Sequence, residues 1–272
     1  TNNGAVRGTS IAVALQSPQS EGSANASAAI GSSEAELTGA LVSQTAVGST
    51  VALTNNSEIG SQIFAAARGD GSSNASGVAV NIAQSAFGDD AHVSAQNARQ
   101  GVLSANGQVA AQGRQVNAQY QGNTLVQNAN GNVASVNLSN AGEIRGQGSA
   151  SAEGNEGASA DSSVFTVQQS ALGQTANIAL RNTGLIEAAS QARSESLEGS
   201  TAFSTATAYR ASGDNPVLDV VNSASITATA DGQSSGFLAV TATAAEFIAA
   251  NGDAKLSGSV ANSGTVSAIA QI

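Results

Sequence analysis

The 272-residue sequence contains no cysteine, methionine or tryptophan and only 2 prolines. Without cysteine it has no disulfide framework and no thiolate metal site. Aromatic residues are 3% of the chain, too few for a conventional core of large side chains. Charged residues are 10%, against about a quarter in an ordinary soluble domain. With 41% hydrophobic content, that balance excludes disorder driven by charge repulsion. Two prolines and non-periodic glycine exclude collagen. The longest apolar run, Phe237 to Ala250, is broken by Thr and by Glu246, short of the roughly 20 residues that span a bilayer as a helix. Basic residues are also scarce. Nine stand against 19 acids, the net charge is -10, and Lys255 is the single lysine. With no basic patch to displace counterions, a nucleic-acid partner is disfavoured and not expected, and neither is membrane insertion.

What is present is small. The chain holds 55 Ala, 39 Ser and 30 Gly, which points to an ordered fold with closely packed short side chains. It starts at Thr1, not Met, and reads as a processed or excised product. The absence of cysteine, the near-absence of lysine and the abundance of Ser, Thr, Asn and Gly fit a secreted protein at the surface of a bacterium.

The sequence repeats itself. A phrase of the form apolar-x-Asn-x-small-x-Ile/Val recurs at Asn2, Asn55, Asn97, Asn140, Asn182, Asn222 and Asn262. The steps are 53, 42, 43, 42, 40 and 40, so the period is near 42 and the first unit carries about 11 extra residues. A second phrase, Gln-x-x-x-Gly, precedes four of these anchors. It runs from Gln44 to Gly48, Gln84 to Gly88, Gln127 to Gly131 and Gln169 to Gly173. Less regular versions end at Gly213 (YRASG) and Gly252 (IAANG). The Gly-to-Asn distances are 7, 9, 9, 9, 9 and 10. Length variation is confined to Gly/Ser/acid clusters such as SPQSEG, GDGSSN, GNEG, SLEGS and DGQSSG, which have turn composition.

Between the turns the pattern has period two. Ile178, Leu180, Asn182, Gly184, Ile186 and Ala188 fall on one side, with Ala179, Arg181, Thr183, Leu185 and Glu187 on the other. The preceding arm puts Phe165, Val167, Gln169, Ala171 and Gly173 inward and Thr166, Gln168, Ser170 and Leu172 outward. Alternation of this length predicts strands, and apolar positions do not recur at helical spacing. The expected architecture is all-β. Residues 1–272 form a single β-solenoid domain of about six ~42-residue repeats. The two halves of a repeat do not resemble each other, which favours one wide two-arm rung per repeat; two rungs per repeat is the alternative. Inward Asn55, Asn140, Asn182, Asn222 and Asn262, with Gln44, Gln84, Gln127 and Gln169, would stack as amide ladders. Asn-x-Gly also reads as a turn, and the two readings stand side by side.

The stretch VQQSALGQTANIALRN, Val167 to Asn182, resembles the curlin repeat of bacterial amyloid fibres, with Gln169, Gly173, Asn177 and Ala179 in a similar order. IAQSAFGDDAHVSAQN, Ile82 to Asn97, is a second approximate match. The Asn-x-Gly-x-Ile-x-Ala phrase looks like strand repeats of large secreted adhesins and autotransporter passengers. Both resemblances imply an extracellular β-rich fibre or stalk.

Little in the chain points to chemistry. GDDAH, with Asp89, Asp90 and His92, would be the metal reading, with Ca²⁺ at Asp89 and Asp90; a polar turn is preferred, because metal sites want several converging ligands. No cofactor is expected. Acids fall at differing repeat positions, so an enzyme is not expected either. Arg68-Gly69-Asp70 matches an integrin-read tripeptide but sits in a variable turn. TATAY, TATAD and TATAA, at Thr205, Thr227 and Thr241, give a minority ice-binding reading. The expected role is a homopolymeric subunit of an extracellular fibre or biofilm matrix. It would assemble head to tail through Asn2, Gly4 and Val6 at one end and Asn262, Gly264 and Val266 at the other. The alternative is a stalk or passenger fragment of an adhesin, with host or cell surfaces as further partners.

Overall fold

A computed structural model describes residues 1–15, 23–30, 41–48, 50–249 and 255–272. The SPQSEG turn, residues 17–22, and the Gly252 landmark lie outside them. Among the described residues every regular element is a strand. The first six are β1 (Val6–Leu15), β2 (Ser23–Ile30), β3 (Val42–Val47), β4 (Thr50–Asn55), β5 (Glu58–Arg68) and β6 (Ser72–Phe87). Next come β7 (Asp90–Asn97), β8 (Val102–Asn130), β9 (Val133–Asn140), β10 (Glu143–Leu172), β11 (Thr175–Asn182) and β12 (Leu185–Ser196). The last six are β13 (Ser200–Gly213), β14 (Pro216–Asn222), β15 (Ser225–Ser234), β16 (Phe237–Ala249), β17 (Ser257–Asn262) and β18 (Thr265–Gln271).

The strands form two sheets, and every pairing between them is parallel. The smaller sheet runs β17-β14-β11-β9-β7-β4. The larger contains β1-β5-β8-β10-β12-β15-β18 as one path, with the remaining strands on a second. Pairing joins equivalent positions of successive sequence repeats: Asn97 faces Asn140, which faces Asn182. Partners are thus a whole repeat apart, not half of one. Within a repeat the chain runs through a short strand ending at Asn, turns into a first arm, and returns along a second arm. β8 and β10 carry it through both arms without a break, with a register shift between Gly154 and Gly157 at the variable GNEG turn. Surface acids and arginines pair across successive repeats, as in Arg7–Glu58, Arg145–Glu187 and Arg210–Glu246. These exposed pairs are each worth little, but they explain why the arginines are scattered singly.

The two arms lie close together. Ser190 Oγ in the first arm donates to the Ser162 carbonyl in the second at 2.6 Å. Ser194 Oγ reaches the Ala158 carbonyl at 3.0 Å. A one-carbon side chain reaches the opposite backbone only if the sheets are nearer than the usual ~10 Å. Between them lie buried Ala160, Ala192, Ala202 and Ala206, with Val164, Ile144 and Ile186. This is the dense, short-side-chain core that the composition demands.

The alternation of β11 and β12 is as expected: Ile178, Leu180, Asn182, Ile186 and Ala188 are buried, and Arg181 and Thr183 are exposed. The expected facing of Phe165 and Thr166 is overturned. Thr166 is fully buried and Phe165 is only half-buried. The ladder skips one residue here, passing from the pair Phe165–Thr207 to Val167–Tyr209. The inward set therefore changes from even to odd numbers. Thr166 Oγ1 donates to the Glu187 carbonyl of the opposite arm at 2.7 Å. Thr124 bonds the Arg145 carbonyl in the same way, and Asn81 bonds that of Ile59. A threonine hydroxyl can thus turn inward without being orphaned.

Candidate functional site

Two columns of stacked amides run through the molecule. In the asparagine column each Nδ2 donates to the Oδ1 of the next anchor. The bonds are Asn2 to Asn55, Asn55 to Asn97, Asn97 to Asn140, Asn140 to Asn182, Asn182 to Asn222 and Asn222 to Asn262, at 2.7–2.9 Å. Asn55 through Asn222 are buried. Spare amide protons go to nearby backbone, as from Asn97 to the Gly101 and Glu143 carbonyls. The ladder and turn readings both hold, because the Gly184 N–H also donates to Asn182 Oδ1 at 3.4 Å. The turn is tight: a Cβ on Gly184 would lie 2.0 Å from the Gly142 carbonyl oxygen beneath it.

The glutamine column runs the other way. Gln84 donates to Gln44, Gln127 to Gln84, and Gln169 to Gln127, at 2.8–3.0 Å. Its amides thus point their donors toward the chain's beginning, while the asparagines point theirs toward its end. Both columns follow from one fact: parallel strands in register put like residues one strand spacing apart, so each amide finds a donor on one side and an acceptor on the other.

Tyr209 ends the column by donating to Gln169 Oε1 at 2.7 Å. Counting back from Gly213 puts Tyr209 at the glutamine slot, yet the backbone pairs Gln169 with Ala211. The following turn is two residues shorter, since Ala171 pairs with Gly213 but Ala176 with Pro216. Asn215 takes up the difference at φ 58°, a left-handed conformation that Asn tolerates. The Tyr209 ring stands edge-on to Phe247 with centroids 5.9 Å apart. The other tyrosine, Tyr120, is also buried, and its hydroxyl has no hydrogen-bond partner among the described residues. It fills space left by glycines: a Cβ on Gly107 would lie 1.9 Å, and one on Gly148 2.2 Å, from its ring. Burial pushes both phenols well above the ordinary tyrosine value.

The remaining sequence candidates are dispersed. Asp89 accepts from Asn132 Nδ2 at 3.0 Å, and Asp90 is exposed at the start of β7. His92 Nδ1 lies 2.6 Å from Ser135 Oγ of the next repeat. Among the described residues no group of three or more His, Asp or Glu side chains lies together. Of Arg68-Gly69-Asp70, Arg68 ends β5 and the other two lie in the turn to β6. Thr205 and Thr207 pair with Thr241 and Thr243 in the second arm, whereas Thr227 and Thr229 lie in the first, opposite Ser267 and Ile269. Asn177 and Ala179 face the outer side of β11 and are half-buried.

The first anchor precedes β1, and the last ends β17, the outermost strand of the smaller sheet. Asn2 bridges Asn55 at one edge, beside β1. Its Oδ1 accepts from the Gly4 N–H and has a lone pair to spare. At the other edge Asn262 Nδ2 donates to the Gly264 carbonyl and keeps a second proton. Val260 and Val266 pair with buried Val220 and Ile226, yet are 57% and 46% exposed. No family model, curated protein or solved structure matches the chain.

Proposed function

We propose that the chain is a β-solenoid of about six ~42-residue repeats, one wide two-arm rung per repeat, and that it serves as a structural subunit of an extracellular fibre or biofilm matrix. Subunits assemble head to tail, the last rung of one pairing with the first rung of the next. The observation that carries this reading is the complementarity of the two edges. The asparagine column has a spare acceptor at Asn2 and a spare donor at Asn262, so a second copy continues it without a mismatch. β1 and β18, at opposite ends of one seven-strand path, present unpaired backbone groups of the kind that template strand addition. Exposed Val260 and Val266 add apolar surface that such a neighbour buries. The contact is heterologous and does not close on itself, so it yields filaments and not dimers. Secretion from a bacterium, self-association and the absence of a cofactor, catalytic site or nucleic-acid partner all belong to this reading.

The test is size-exclusion chromatography with electron microscopy on the purified chain and on Val266→Pro, which removes a ladder donor from β18. The expected result is filaments from the first and short soluble species from the second. A chain that stays monomeric at high concentration favours the alternative, a stalk or passenger segment of an adhesin whose edges meet further repeats.

A further inference from the structure

The outer face of the first arm carries a groove of about 730 Å³. Every strand of the path β1-β5-β8-β10-β12-β15-β18 contributes to its lining. Seven strands at ~4.8 Å make it roughly 29 Å long, and it runs across the strands, along the stack. The hollow has a cause inside the molecule. Gly107 and Gly148 form part of its floor, and both back onto the Tyr120 ring at distances that no Cβ would allow.

The lining mixes polar side chains with apolar ones, Ile11, Ile63 and Phe64 among them, and is almost uncharged. Gln62, Asn106 and Gln147 pair in one column, and Phe64 and Gln108 in the next. None of these four amides has a hydrogen-bond partner among the described residues, in contrast to the amides of the interior columns. The one charged lining residue is Asp231, which accepts from Gln191 Nε2 at 3.0 Å. Phe64 is 40% exposed.

We infer that this groove binds a neutral polysaccharide lying along the stack. Its length fits a linear polymer more than a small molecule. Free amides offer both donors and an acceptor, which suits hydroxyls that donate and accept in turn. An exposed ring suits the apolar face of a sugar. With no basic residue in the lining and a net charge of -10, a polyanion is repelled. A peptide strand finds no free backbone edge in the interior of this sheet. The inference is independent of whether the chain polymerises.

Affinity electrophoresis of the purified chain tests it, with hydroxyethyl cellulose and dextran as neutral probes and polygalacturonate as the anionic one. The triple variant Gln62→Ala, Gln108→Ala, Gln147→Ala touches only outer-face side chains, and its far-ultraviolet dichroism should match the parent's. Retardation by at least one neutral probe, reduced tenfold or more in the triple variant and absent with polygalacturonate, is the expected result. No retardation by either neutral probe, equal retardation of parent and variant, or equal retardation by polygalacturonate overturns the inference. Gln108→Glu with Gln147→Glu supplies a second check: added carboxylates should weaken neutral binding, and unchanged binding contradicts the site.

Discussion

Tyr209 donates its hydroxyl proton to Oε1 of Gln169 at 2.7 Å, closing a glutamine column whose other members satisfy one another. The second tyrosine, Tyr120, is equally buried, with no partner for its hydroxyl among the described residues. The same substitution therefore has opposite consequences at the two sites. Tyr209→Phe leaves a buried amide oxygen orphaned and should cost about 1–3 kcal/mol, whereas Tyr120→Phe removes an unsatisfied group and should be near neutral or stabilising. Denaturant midpoints of the two variants check this, and equal losses would contradict the assigned partners.

The chain has only two tyrosines, and burial raises the pKa of both. Below the ordinary tyrosine value of ~10, folded and unfolded chains both keep the phenolic proton, and the contribution to stability is complete. As pH rises above that value the unfolded chain alone loses protons, so stability falls until the raised native values are reached. Tyrosinate absorption should therefore appear together with loss of the β dichroism. Titration of either phenol at ~10 in a folded chain would show that the ring is not enclosed.

The asparagine column makes a distinct prediction. Asn140 accepts from Asn97 and donates to Asn182 and to the Leu185 carbonyl. Asn140→Ala should cost about 1–3 kcal/mol for each group left unpaired. Asn140→Asp turns a buried donor into a carboxylate facing the Asn182 oxygen and should cost more at neutral pH than at acid pH, where the protonated acid can donate. Thermal melts at the two pH values distinguish the cases. An Asp variant as stable as the parent at neutral pH would mean that the column is solvated.

Gly184→Leu should be among the most damaging single changes, because even a Cβ there meets the Gly142 carbonyl oxygen at 2.0 Å. Overpacking should cost at least ~1–3 kcal/mol. Thr183→Lys, one residue earlier on the exposed face, should be tolerated. Comparable losses in the two variants would contradict the assigned facing.

The all-β class, the parallel pairing of whole repeats and both amide columns were legible because they follow from period-two alternation and a fixed anchor spacing. Asn140 and Asn182 are 42 residues apart in sequence and 2.8 Å apart at their amides, and the repeat alone predicts such stacking. The reversal at Thr166 was not legible. It depends on one hydroxyl finding the Glu187 carbonyl on the opposite arm, a long-range contact that local alternation does not encode. Tyr209 stands at the glutamine slot counted back from Gly213, but its bond to Gln169 was not legible, because a turn shortened by two residues moves that landmark out of step with the backbone register. The groove was hidden for a similar reason, since the glycines in its lining, Gly107 and Gly148, back onto Tyr120, a packing relation between arms.

Head-to-tail continuation of the asparagine column is tested most directly by the axial rise per subunit in an electron cryomicroscopy reconstruction of the assembled chain. Six steps separate Asn2 from Asn262 and the joint adds a seventh, so the subunit rise should be roughly 34 Å, seven steps of ~4.8 Å. Asn262 of one subunit should lie within hydrogen-bonding distance of Asn2 of the next. A filament whose subunits meet side by side, or a purified chain that forms no filament at any concentration, would contradict the account.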